Sequence, residues 1–116
     1  MKDISILEAK GGAGIYIYCL NHTVKPTNDI SVRRALAHAL DIKGVCSRIG
    51  PLVRASPSPL ARVVFGATDE YWGHDYDLNK AKQLLAEAGY PKGFELQLMY
   101  NVSGLYEPIT LEVQRS

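Results

Sequence analysis

The sequence predicts a mixed α/β fold. Two observations carry that expectation. Apolar residues recur at helical spacing behind three aspartates, and short β-branched or aromatic runs lie between those stretches, set off by glycine and proline. The balance is that of an ordinary globular chain: 116 residues, 47% hydrophobic, 22% charged. A net charge of +1, with no basic run longer than Arg33-Arg34, argues against nucleic acid as a partner.

Residues 4–7 form a short apolar run and read as a strand, followed by a glycine turn around Gly11, Gly12 and Gly14. Residues 15–20, Ile15-Tyr16-Ile17-Tyr18-Cys19-Leu20, read as a buried strand. Asp29 offers an N-cap for a helix whose apolar face is Val32, Ala35, Leu36, Ala39 and Leu40. Asp41 caps a second, shorter helix with Ile42, Val45, Cys46 and Ile49 on one side, and Gly50-Pro51 ends it. Residues 52–76 carry no period and read as a long irregular connection, stiffened at Pro57 and Pro59.

Asp77 caps the clearest helix, with Leu78, Ala81, Leu84, Leu85 and Ala88 on one face and Gly89 as its stop. Phe94, Leu96, Leu98 and Tyr100 alternate with Glu95, Gln97 and Met99, the period of a half-buried strand. After a loop at residues 101–106, Glu107-Pro108 opens a last helix. A strand, a loop and a helix lead naturally to a second, parallel strand. The chain stops at Ser116 before one, so we read it as cut inside a βαβ unit.

Chemistry-bearing patterns are sparse. His22, His38 and His74 show no metal-ligand spacing, and the serines lack a nucleophile-elbow context. The glycine turn lacks the lysine and spacing of a phosphate loop. Cys19 and Cys46 read as two small buried hydrophobes, with a disulfide left open. No cofactor or metal is implied, and no catalytic residues are assigned. Arg33 is read as a helix anchor that pairs with a carboxylate or carbonyls.

Four blocks carry a family resemblance. They are the strand Gly14-Ile15-Tyr16-Ile17-Tyr18-Cys19-Leu20-Asn21, and the helix running from Asp29 through Val32-Arg33-Arg34-Ala35-Leu36 to Asp41. The third is Tyr76-Asp77-Leu78-Asn79-Lys80-Ala81-Lys82-Gln83-Leu84-Leu85-Ala86-Glu87-Ala88-Gly89-Tyr90, with Leu78 where proline is usual. The fourth is Pro91-Lys92-Gly93-Phe94-Glu95-Leu96. In this order they resemble the extracellular solute-binding proteins of the dipeptide, oligopeptide and nickel group.

The resemblance implies that residues 1–116 are one fragment of the C-terminal lobe of a two-lobed periplasmic-binding-protein type II fold. The first lobe and the rest of the second would be absent. It implies capture of a peptide or other small solute between the lobes and its delivery to the permease subunits of an ABC importer. It further implies a periplasmic or extracellular location, with lipid anchoring of the full-length protein left open. A second class, the solute-sensing domain of a transcriptional regulator or signalling protein, stays in view.

The loop after the 94–100 strand is the preferred ligand-facing element, because α/β sheets tend to place ligands at the C-terminal ends of strands. Its candidates are Asn101, Ser103, Gly104 and Tyr106, with Trp72 as an aromatic contact from the irregular connection. The loop holds no arginine or lysine, a departure from the basic residue that the resemblance implies for a dipeptide-type carboxylate clamp, and a longer peptide or a different solute stays open. Apolar surface left by the absent lobe would favour a homodimer of the fragment.

Overall fold

The structure is a computed structural model that describes residues 12, 14–51, 53–70, 73–101 and 106–115. Among these, regular structure consists of four helices: α1 (Ile30–Ala39), α2 (Ile42–Ile49), α3 (Leu78–Glu87) and α4 (Tyr106–Arg115). The chain divides into two compact units. One comprises Met1–Tyr18 and Ser56–Trp72; the other comprises Cys19–Ala55 and Gly73–Ser116 and holds all four helices.

Three helices begin where a carboxylate can take an orphan backbone N–H. Asp29 accepts from the Ser31 amide at 2.7 Å, Asp41 from Gly44 at 2.9 Å, and Asp77 from Lys80 at 2.9 Å. At α2 this cap also dictates its glycine. A Cβ at position 44 would lie 1.8 Å from the Asp41 Oδ2 atom, so no larger residue fits while the cap is made. α3 ends in a Schellman motif. The Tyr90 amide donates to the Leu85 carbonyl and the Gly89 amide to the Ala86 carbonyl, with Gly89 at φ +89°.

The helices pack in pairs, α1 on α3 and α2 on α4. The faces read from the sequence are the ones turned inward. Val32 and Ala35 of α1 and Ala81 of α3 are buried, as are Val45 of α2 and Ile109 and Thr110 of α4. Leu36, Leu84 and Leu85 are half-buried beside them, whereas Leu78 and Ile42, at the helix starts, are exposed. Arg33 Nη1 donates to the carbonyls of Thr27 at 2.8 Å and Asn28 at 3.0 Å, which pins the preceding loop to α1.

The other unit is irregular where described. Among its described residues Ser58 and Ala61 are buried, Arg62 pairs with Asp69 at 3.0 Å, and the Phe65 side chain stands fully in solvent.

The strand expectations are not met. Residues 15–20 and 94–100 form no strand among the described residues, and residues 4–7 lie outside them. A helix closes its hydrogen bonds within itself, but a strand needs a neighbour to complete its ladder. The side-chain alternation survives without the ladder: Met99 is 89% exposed, while Leu96, Leu98 and Tyr100 on the other side are near 40%. Cys19 also departs from expectation. It is exposed rather than buried, because the segment carrying it forms no buried strand; Cys46 is half-buried, and both thiols are free.

Two substitutions test the helix ends by chemical denaturation. Gly89→Ala forces a left-handed residue to carry a Cβ and is expected to cost about 1–2 kcal/mol. Asp77→Ala removes the α3 cap and is expected to cost about 1 kcal/mol. Replacing the solvent-exposed Asp69 instead should cost clearly less than either.

Candidate functional site

The loop singled out from the sequence is described at its two edges. Asn101 is exposed at the end of the 94–100 segment, and Tyr106, also exposed, is the first residue of α4. Ser103, Gly104 and Trp72 lie outside the described residues. The loop therefore feeds directly into α4, and α4 carries the strongest cluster of polar side chains among the described residues.

That cluster joins α2 to α4. Arg48 Nε donates to Glu112 Oε2 at 2.5 Å, and Arg115 Nη1 donates to Glu112 Oε1 at 3.0 Å. Arg48 Nη1 also lies 3.8 Å from Asp41 Oδ2, a looser contact. Glu112 thus receives a guanidinium on each oxygen. The hydrogen bond from Arg48 is the main cause that holds its carboxyl below the usual glutamate range, against a smaller opposing effect of burial. Two cavities open beside it. One, of about 400 Å³, is lined by Asp41, Arg48, Tyr76, Glu112 and Arg115. The other, of about 480 Å³, runs along Ile49, Pro108 and Leu111 to the same arginines. Both are open, Glu107 adds a further carboxylate to the second, and both arginines are already paired with Glu112, which suits a structural joint better than an empty anion pocket.

Sequence reasoning did not find this cluster. Arg48 and Glu112 are 64 positions apart, so no local period links them. Asp41 was legible only as a helix cap.

A second grouping lies where α1 ends and α3 begins. The His38 and His74 rings have centroids 4.7 Å apart and are tilted by 58°. His38 Nδ1 is 2.8 Å from the Asp75 carbonyl oxygen, and the Asp77 amide donates to the His38 carbonyl at 2.9 Å. Cys46 is not set up as a nucleophile. Burial pushes its thiol up, outweighing a backbone hydrogen bond, so it stays protonated near neutral pH. Among the described residues no helix is long and apolar enough to cross a membrane, and no three metal-ligating side chains converge.

Comparison with known proteins places the chain. The family described as bacterial extracellular solute-binding proteins, family 5 Middle, matches residues 2–115. Heme-binding protein A of Haemophilus influenzae is 40% identical over 93 residues, covering 79% of this chain and 17% of that protein. The dipeptide-binding protein of Escherichia coli is 35% identical over 102 residues, 84% of this chain and 18% of its own length. The periplasmic oligopeptide-binding protein OppA of Salmonella typhimurium is 33% identical over 107 residues, 84% of this chain and 20% of its own length. The chain thus spans about a fifth of the length of these relatives. No solved structure matches it.

The Glu112 cluster has a pH signature. A carboxyl held below its ordinary value stabilises the fold above that value, near pH 4.3, and loses this contribution as pH falls through the lowered one. Glu112→Gln removes the charge and therefore the dependence. The stability difference between the two proteins, measured by denaturation at a series of pH values, is expected to be constant near neutrality and to shrink below about pH 4. A difference that persists unchanged in acid would assign Glu112 a role other than ion pairing.

Proposed function

The chain belongs to the bacterial extracellular solute-binding proteins of family 5, and from that premise we propose that it is one segment of the C-terminal lobe of a two-lobed binding protein. The intact protein captures a peptide or related small solute between its lobes, outside the cytoplasmic membrane, and presents it to the permease of an ABC importer. The segment itself carries out no chemistry. Its part is to hold one wall of the cleft.

One observation carries this reading. The relatives are named for heme, dipeptide and oligopeptide binding, yet each matches about four-fifths of this chain. A segment common to proteins with such different ligands is suited to be scaffold, with selectivity supplied elsewhere. The conspicuous residues agree: Asp29, Asp41 and Asp77 cap helices, Arg33 ties down a loop, and Gly89 ends α3.

The mixed α/β architecture belongs to the same proposal. Residues 15–20 and 94–100 are strands of the intact lobe, completed by partners elsewhere in the parent chain. Large apolar side chains standing in solvent support this, namely Ile17 and Tyr18 in the first segment and Leu96, Leu98 and Tyr100 in the second. The same surface would favour self-association of the isolated segment. The cleft-facing element is the loop that starts at Asn101 and includes Ser103 and Gly104 before Tyr106 begins α4.

The test is calorimetric titration of the full-length protein with a library of short peptides. Asn101→Ala and Tyr106→Ala are each expected to weaken binding by roughly tenfold, about 1.4 kcal/mol. Unfolding midpoints within a degree or two of the parent would separate this loss from misfolding. Unchanged affinity in both variants would remove the loop from the site. Failure to bind any peptide, with a different solute recovered on the purified protein, would leave the fold reading intact and overturn the choice of solute.

A further inference from the structure

The ring pair at the α1–α3 junction joins His38, whose Nδ1 ties the ring to the Asp75 carbonyl, to His74, whose ring the capping and packing of the helices do not account for. A carbonyl oxygen can only accept, so the 2.8 Å contact to Asp75 places the proton of His38 on Nδ1. A neutral imidazole so held presents Nε2 as a lone pair. Histidines that bind metals are commonly fixed in this way, with one ring nitrogen donating to a carbonyl and the other left to coordinate.

The spacing agrees with a shared ion. Imidazole nitrogens bind zinc at about 2.0–2.1 Å, which sets each ring centroid about 3.2 Å from the metal. Two rings at about 90–110° around one ion then stand about 4.5–5.2 Å apart, by the same distances. The observed separation of 4.7 Å falls inside that interval. The surroundings favour positive charge as well. His38 lies in the last turn of α1, the negative end of its dipole, and the 74–77 segment carries Asp75 and Asp77 with no basic residue. His74 is exposed and His38 half-buried, so an ion has access without opening the helix pair.

We propose that His38 and His74 form a two-nitrogen site for one divalent cation of the zinc class, clipping the end of α1 to the segment that leads into α3. Among the described residues no third histidine, cysteine or carboxylate joins them, so water completes the coordination and the ion exchanges readily. Its test does not depend on solute binding.

Zinc is titrated into the full-length protein carrying Cys19→Ser and Cys46→Ser, which removes the competing thiols, with binding read by calorimetry and by the histidine ring signals in NMR. One zinc per chain, with the His38 and His74 signals moving together, is the expected result. The exposed position makes His74→Ala the decisive variant, and it should lower zinc affinity about tenfold or more. His38→Ala should do the same, with circular dichroism showing whether α1 survives the change. Absence of zinc uptake, movement of only other ring signals, or unchanged affinity in His74→Ala would overturn the proposal.

Discussion

The contact between α1 and α3 is the constraint on which much of the larger unit depends. Val32 and Ala35 are buried on one helix and Ala81 on the other, so small side chains set a close approach. Around that contact the chain is tied at both ends. Before α1, Arg33 gathers the Thr27 and Asn28 carbonyls; after it, His38 takes the Asp77 amide on its carbonyl and places its ring on Asp75. These bonds spare backbone groups that would otherwise be left without partners where a loop meets a helix. The α2–α4 pair is held differently, by Val45 and Ile109 beneath a surface cluster in which Glu112 binds two arginines. Such exposed pairing orients helices more than it stabilises them.

The described core is modest for so apolar a chain. Its buried side chains include nothing larger than isoleucine, while Phe65, Met99 and Ile17 meet solvent. The proposed scaffold role accounts for that imbalance if further burial comes from elements outside the described core.

The helices were legible because their signals are local. An aspartate, an amide two or three residues on that it caps and an apolar face every three or four positions lie within one short window, and the predicted faces supply most of the buried helix residues. Even so, α4 begins at Tyr106, slightly ahead of the Glu107-Pro108 signal, because the first helical turn needs no prior hydrogen bond. What was not legible depends on distant groups. Strands require neighbours that no period encodes, the Arg48–Glu112 pair joins residues far apart in the chain, and the His38–His74 pair exists only because α1 and α3 pack. Of the predicted loop, Asn101 and Tyr106 are placed, and both are accessible.

In the proposed intact protein, residues 94–100 are a strand that ends at a ligand-facing loop. Amide hydrogen exchange of the full-length protein, with and without bound solute, addresses this most directly. Slow exchange across 94–100 in both states, with added protection at 101–106 only when solute is bound, is the predicted pattern. Exchange across 94–100 as fast as in an unstructured loop, or a loop indifferent to solute, would contradict it.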